Sequence, residues 1–355
     1  MPISVRSLLA NSMTVSKVRA RAPLRLGFAG GGTDVAPYCD DFGGYVLNAT
    51  IAMYAHVSIE VRSDDRVRFV AIDNELSFED SPDFEIDFRS RLALHQGVHK
   101  RIVNDFLGGA PLPVTVMTYC DAPPGSGLGS SSTLVVALIQ AYRELLALPL
   151  GEYDVARLAY EIERIDIGQL GGKQDQYAAT FGGVNFMEFG RDSVIVNPLR
   201  IRPATLYELE SMMVLYFTGV SRSSASIISR QVAGMQQKDP DTLAALQDIG
   251  RDAVLMKEAL LRNDFATFTD ILGSAWEAKK NLAQGITNDG IDRIFDVAQE
   301  AGARAGKVSG AGGGGFIFFI VEPTQRPRVL RALGNESGRV TTCVFTMEGA
   351  QAWRV

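Results

Sequence analysis

The sequence predicts an α+β protein of two domains that share one cleft. Three observations carry this prediction. At 355 residues the chain is long enough for two hydrophobic cores. Alternating β-branched stretches dominate its first half, whereas apolar residues at helical spacing dominate its second, with two late strand patterns at 316–321 and 340–346. Three glycine-rich segments, at 30–32, 125–129 and 310–315, each adjoin a strand pattern. A boundary near 198–203 then gives an N-terminal domain over 18–200 and a C-terminal domain over 201–355, after a frayed tail at 1–17.

Taken in order, 18–28 reads as a strand from the rhythm of Ala22, Leu24, Leu26 and Phe28. It runs into Gly30-Gly31-Gly32-Thr33-Asp34, followed by a short helix at 35–41. Separate strands are expected at 45–51, 55–61 and 67–72, and an acidic loop at 73–90. A helix at 92–107 stops at Gly108-Gly109, and 114–119 is again a strand. Beyond the central glycine loop, Leu134, Leu138, Ile139, Tyr142 and Leu145 mark a helix, and 153–165 is a further amphipathic one. The segment 170–183 reads as irregular, with strands after it at 184–189, 194–196 and 212–217. Helices are expected at 223–233, 242–261, 265–282, 291–301 and 326–333.

Composition narrows the function. Hydrophobic residues make up 46% and charged residues 21%, as in an ordinary globular enzyme. A net charge of −6 argues against a nucleic-acid surface, so any phosphate must be met locally by a few Arg or Lys, or by a metal ion. Cys39, Cys120 and Cys343 are widely spaced and odd in number, without a CxxC pair, which predicts a reducing cytosol. His95 and His99 stand at i, i+4 with no HExxH motif, and a solvated helix face is the expectation. No apolar run reaches membrane-spanning length, and 1–16 lacks a signal core; Met13 could equally be the start. A cytoplasmic protein without membrane or nucleic-acid partners is expected, and a homodimer is compatible with the chain.

The chemistry concentrates in Pro123-Pro124-Gly125-Ser126-Gly127-Leu128-Gly129-Ser130-Ser131-Ser132, set between a strand and a helix. Glycines let the backbone approach a ligand, the serines can cap the helix, and free N–H groups at a helix N-terminus favour an anion. A phosphate is the natural tenant. A P-loop would need Lys before Ser/Thr, and Gly129 precedes Ser130 instead. A dinucleotide fingerprint would need glycine where Ser130 stands, which excludes a dinucleotide-dependent oxidoreductase.

Arg21-Ala22-Pro23-Leu24-Arg25, the central PPGSGLGSSS and the late KVSGAGGGG together resemble the GHMP kinase superfamily, in family order over nearly all of the chain after residue 17. Arg25-Leu26-Gly27-Phe28-Ala29-Gly30-Gly31-Gly32-Thr33-Asp34 and Glu277-Ala278-Lys279-Lys280 look like its sugar-1-kinase branch, and are most similar to D-glycero-D-manno-heptose 7-phosphate kinases. The resemblance implies a ribosomal-protein-S5-like N-terminal domain and a ferredoxin-like C-terminal domain, with ATP and Mg²⁺ between them. It implies phosphorylation of the anomeric hydroxyl of heptose 7-phosphate to the 1,7-bisphosphate, for nucleotide-activated heptose synthesis. Fucose or another hexose is the alternative acceptor, and a non-catalytic nucleotide- and sugar-binding regulator the alternative class. Leu24 stands where many relatives carry glycine, and Gly-Gly-Gly-Thr-Asp replaces galactokinase's Gly-Glu-His-Thr-Asp, which disfavours galactose.

Carried over residue by residue, the resemblance gives the segment 124–132 (Pro124, Gly125, Ser126, Gly127, Leu128, Gly129, Ser130, Ser131, Ser132) to the triphosphate. Ser131 matches the serine whose hydroxyl reaches Mg²⁺, or else caps the helix, and Glu163 matches the carboxylate that completes the metal site, with Glu161 its competitor. Asp175, in the GxxDQ position, matches the base that takes the acceptor's proton, and Arg25 matches the cation beside it and the γ-phosphate, or is a surface ion-pair partner. Gly31, Gly32, Thr33 and Asp34 match the holders of substrate hydroxyls, with a helix N-cap as the rival for Thr33 and Asp34. Gly310, Gly312 and Gly313 would line the substrate side, which a plain β-turn also explains. Lys173, Arg222, Lys279, Lys280 and Lys307 are candidates for a distal sugar phosphate, and spacing does not choose among them.

Overall fold

The computed structural model describes residues 17–221, 225–280 and 285–355, so the tail at 1–16 and Arg222 lie outside the described residues. The strands are β1 Lys17–Ala29, β2 Gly44–Val61, β3 Val67–Ala71, β4 Leu76–Asp80, β5 Val114–Cys120, β6 Val184–Phe189, β7 Val194–Pro198, β8 Met213–Phe217, β9 Ala303–Val308, β10 Phe316–Val321, β11 Arg339–Thr341 and β12 Gln351–Arg354. The helices are α1 Tyr38–Phe42, α2 Ala93–Leu107, α3 Ser130–Leu146, α4 Glu152–Tyr160, α5 Gln174–Phe181, α6 Pro203–Met212, α7 Ala225–Gln236, α8 Pro240–Leu261, α9 Phe265–Lys280, α10 Asp289–Glu300 and α11 Arg326–Gly334.

These elements form the α+β arrangement that the sequence predicts, around two sheets. The first runs β12-β1-β2-β5-β3-β4, with β6 on the opposite half of β2 from β5 and β7 beyond it. The second is antiparallel, in the order β11-β8-β10-β9. One core lies under α2, α3 and α4 against the first sheet. A second joins the two halves: Leu24, Leu26 and Phe28 of β1 pack with Phe268 and Leu272 of α9 and Phe318 and Ile320 of β10. Fully buried Phe28 meets Phe268 and Phe318 edge to face, with centroids 5.5 and 5.9 Å away. The cleft walls are therefore cemented to each other by apolar packing.

Several expectations need correction. The two strands expected at 45–51 and 55–61 are one, because β1 pairs with β2 from Leu47 to Glu60, across both halves, and absorbs the broken alternation as a register shift at Pro23/Leu24. The acidic loop contains β4, a hairpin partner of β3. The irregular 170–183 contains α5, whose N-terminal end is held by a carboxylate from far along the chain rather than by a local cap. Helix α6, strand β9 and strand β12 were not expected, and β12 pairs with β1, returning the chain's end to the first sheet. His95 and His99 do not face solvent: α2 packs them into the core, 3% and 0% exposed, where His95 Nε2 meets Thr118 Oγ1 and His99 Nδ1 meets the Tyr142 hydroxyl, both at 2.8 Å.

Candidate active site

The central loop ends where α3 begins. Gly129 is the residue before the helix, at φ 78°, and no side chain caps it, so the serines do not serve as caps. The first N–H groups of α3 are thereby left for a ligand, and the helix dipole favours an anionic one. Gly127, at φ 80°, could not be another residue, since a Cβ there would lie 2.3 Å from the carbonyl oxygen of Ser309. That contact stacks the third glycine segment on the central loop, and the Ser309 hydroxyl donates to Gly127 O over 2.8 Å. Gly125, Gly127, Gly129, Ser130, Ser131 and Ser132 border the cleft. Pro124, Ser126 and Leu128 do not: Leu128 fills the joint core, and Ser126 is fully buried.

Asp175, one residue into α5, faces this loop. Its Oδ1 accepts from Arg25 Nε at 2.7 Å and lies 2.6 Å from Nη2, a fork-like grip on one oxygen. Arg25 Nη1 donates to Gly127 O over 2.6 Å, so one guanidinium ties β1, the central loop and the α5 carboxylate together. Oδ2 is the Asp175 oxygen on the Gly129 side, and a Cβ on that glycine would meet it at 3.1 Å. Sequence separation hides this pair, which bridges 150 positions.

Glu163 lies in a π-helical turn, Glu161–Asp166, that continues α4. It is 1% exposed and borders the cleft, while Glu161 points outward to Arg101 at 2.7 Å. The hydroxyl on Glu163 is that of Ser132, which donates over 2.6 Å; Gln176 Nε2 donates to the same oxygen over 2.7 Å. Arg164 sits 3.2 Å from the other oxygen, donates to Ser132 Oγ over 3.2 Å, and also reaches Gly172 O at 3.4 Å. Ser131 borders the same part of the cleft without joining this network. Sequence reasoning passed over the bracing by Arg164, although its place beside Glu163 in a loop-bordering helix was the available signal.

Mg²⁺ asks for few protein oxygens and keeps waters and phosphate oxygens for the rest. One hydroxyl and one carboxylate beside an open helix N-terminus meet that demand, although no cluster of three or more His, Cys, Asp or Glu capable of holding a metal occurs among the described residues.

The first and third glycine segments also border the cleft. Asp34 is 1% exposed, and its carboxylate accepts from Gly32 N, Gln174 N and Gln174 Nε2 at 3.1, 3.0 and 3.2 Å. It thus holds the start of α5 and not that of α1, and burial raises its pKa. Thr33 is turned inward, with its hydroxyl on the Gly30 and Tyr45 carbonyls at 2.8 and 3.0 Å. Gly31, Gly32, Gly310 and Gly312 border the cleft, whereas Gly313 borders a separate hollow near Asn288. Lys173 leaves the cleft for Asp40 and Gly190 O, at 3.2 and 2.9 Å. Lys280 pairs with Glu277 at 2.6 Å. Lys279 and Lys307 do enter the cleft. Burial pushes Lys279 down to about 8, with Arg25 adding to the effect, and Lys307 falls well below the usual lysine value through burial and its neighbour Lys279.

This geometry has counterparts. Residues 93–183 match the family described as GHMP kinases N terminal domain, and residues 256–340 the one described as GHMP kinases C terminal. The chain is 48% identical to the D-glycero-alpha-D-manno-heptose 7-phosphate kinase of Campylobacter jejuni, over 95% of this chain and 99% of that one. A crystal structure of a D-glycero-D-manno-heptose 1-phosphate kinase from Bacteroides thetaiotaomicron superposes with a TM-score of 0.81 at 45% identity, over 95% and 99% of the two chains. The bifunctional fucokinase/GDP-fucose pyrophosphorylase of Arabidopsis thaliana is 27% identical over 93% of this chain, which spans 32% of that longer protein. The chain belongs to the GHMP kinases, phosphotransferases that use ATP as donor and an alcohol group as acceptor.

Proposed function

We propose that this kinase transfers the γ-phosphoryl group of ATP to the anomeric hydroxyl of D-glycero-D-manno-heptose 7-phosphate, giving the 1,7-bisphosphate and ADP. The observation that carries the acceptor is the 48% identity to the Campylobacter heptose 7-phosphate kinase across nearly the full length of both chains. A cytosolic setting fits three cysteines that are all free thiols.

In this reading Asp175 is the base. Arg25 occupies Oδ1 and fixes the carboxylate's orientation, so Oδ2 is the oxygen that receives the acceptor hydroxyl's hydrogen bond. As the sugar oxygen bonds to the γ-phosphorus and the bond to ADP breaks, the hydroxyl proton passes to Asp175. The N–H groups at the start of α3 face the phosphates, and Arg25 neutralises charge developing between loop and carboxylate. Ser131 and Glu163 would hold Mg²⁺, which when bound offsets negative charge on the β- and γ-phosphate oxygens. Arg164 and Gln176 keep the Glu163 carboxylate aimed into the cleft. Asp34 supports catalysis by anchoring the turn that presents Asp175.

The test is ADP release with Mg-ATP over heptose 7-phosphate, mannose, fucose and galactose, with products read by phosphorus NMR. Turnover confined to heptose 7-phosphate, with a new anomeric phosphate signal, is the expected result. Turnover on fucose instead would move the acceptor and leave the chemistry standing. ATP binding without turnover on any acceptor would favour a regulator.

A further inference from the structure

Two of the most deeply buried cations in the molecule have no carboxylate within ion-pair distance among the described residues. Lys279 on α9 and Lys307 on β9 are 7% and 6% exposed, yet their hydrogen-bond partners are all backbone carbonyls. Lys279 Nζ donates to Gly310 O over 2.6 Å. Lys307 Nζ donates to Phe28 O and Gly27 O over 2.8 and 3.3 Å, where a register shift in β1 releases those carbonyls from the ladder. An ammonium has three N–H donors, so Lys279 keeps two and Lys307 keeps one for something else. Burying a cation with no carboxylate in contact is costly, and here two such lysines stand near one another with Arg25 close by, Asp34 and Asp252 lying beyond ion-pair distance. That placement is explained by an anionic ligand.

The side of the cleft identifies which anion. Both lysines border the main cleft and back onto a recess with Ala29, Gly30, Gly31 and Asp252 that is too small for a phosphate, so an anion would meet them from the cleft. The central loop is the cradle proposed for the triphosphate, whereas Lys307 hangs on the Gly27 and Phe28 carbonyls of β1, which leads into the first glycine segment, the side proposed for the acceptor. We infer that Lys279 and Lys307 form the subsite for the acceptor's own phosphate, a phosphomonoester remote from the hydroxyl that reacts. The inference rests on the reading of the chain as a sugar-phosphate kinase and says which residues make it one. Its chemistry also accounts for the difference from Lys173 and Lys280, whose ammonium groups are each paired with a carboxylate.

The experiment compares heptose 7-phosphate with unphosphorylated heptose in wild type, Lys279→Met and Lys307→Met, methionine preserving volume and removing charge. Wild type is expected to favour the phosphorylated sugar at least tenfold in kcat/KM. Either variant should raise KM for heptose 7-phosphate at least tenfold, keep KM for ATP within twofold, and abolish most of the preference for the phosphorylated sugar. A rise in KM for ATP instead would assign the lysines to the nucleotide and overturn the inference, as would equal losses on both sugars. Wild-type turnover on heptose 7-phosphate is read in the same assay, so a wrong acceptor shows as its absence and a wrong subsite as unchanged selectivity in the variants.

Calorimetry on the wild-type protein decides the matter if a variant does not fold. Arg25, Asp34 and Lys307 act on Lys279, with Asp252 across the recess beside Lys307, and a bound phosphate should draw a proton onto Lys279 near pH 8. Titration in buffers of different ionisation enthalpy should show proton uptake with heptose 7-phosphate and none with the unphosphorylated sugar. Equal uptake with both, or none with either, would overturn the assignment.

Discussion

One group of buried polar side chains packs near the flank of α3 and another gathers at its N-terminal end, and only the second borders a cleft. In the core, His95 and His99 are matched one to one with Thr118 and Tyr142 among the rings of Phe69 and Phe84. Each imidazole leaves its second nitrogen without a partner, which is tolerable only for the neutral ring. At the cleft, Arg25, Asp175, Glu163 and Lys279 are each held by partners and all border one shared cavity. Burial and depressed basicity are common to both groups, because His99 falls to about 3 and Lys279 to about 8. What separates a site from a packed core is therefore convergence on a shared space with unused donors and acceptors.

The sharpest way to break this contrast is Asp175→Asn. Its amide keeps the shape but cannot accept the acceptor's proton, so kcat should fall about 100-fold or more while ATP affinity is preserved. Near-normal turnover would take Asp175 out of the chemistry and reduce its Arg25 pair to a structural link. Glu163→Gln should act less severely, lowering kcat about tenfold and raising the Mg²⁺ concentration for half-maximal Mg-ADP binding by a similar factor. An unchanged Mg²⁺ dependence, read by calorimetry with ADP, would leave Glu163 as a partner of Arg164 and Ser132 only.

The core histidines should reveal themselves through pH and not through activity. Burial holds His95 down to about 4 and His99 to about 3, below the usual value of 6.5. The unfolded chain thus binds protons that the folded chain refuses, and stability should fall as pH drops from 6.5 toward those values. Each histidine contributes at most about 1.4 kcal/mol per pH unit within that window. In denaturant melts, His99→Phe should flatten the acid slope without altering KM for either substrate. A slope equal to wild type would mean that the ring protonates in place.

How much of this was readable beforehand depends on whether the signal is local. Glycines at 125, 127 and 129 before an apolar helical run declare a ligand loop, since close backbone approach needs nothing distant. The long β2 was not readable, because what unites its halves is β1 lying alongside. Nor was α5, which starts on the Asp34 carboxylate from 140 positions away. His95 and His99 misled for the same reason: i, i+4 spacing defines a face, but only the sheet and α3 decide what covers it. The Arg25–Asp175 pair came from family resemblance, since spacing alone does not bring together residues on β1 and α5.

Lys173 gives the smallest and most discriminating comparison with Lys279. Both are buried lysines next to glycine-rich turns, and sequence placed both near a sugar phosphate. Lys173, however, is already matched to Asp40 and the Gly190 carbonyl, away from the cleft. Its charge should therefore serve α1 and the turn after β6, and Lys173→Met should cost about 1–3 kcal/mol of stability by stranding Asp40 and that carbonyl. KM for heptose 7-phosphate should stay within twofold of wild type, where Lys279→Met raises it at least tenfold. If Lys173→Met raised KM as strongly, an ammonium already paired with a carboxylate would be binding substrate, and unused donors would no longer distinguish a site from its scaffold.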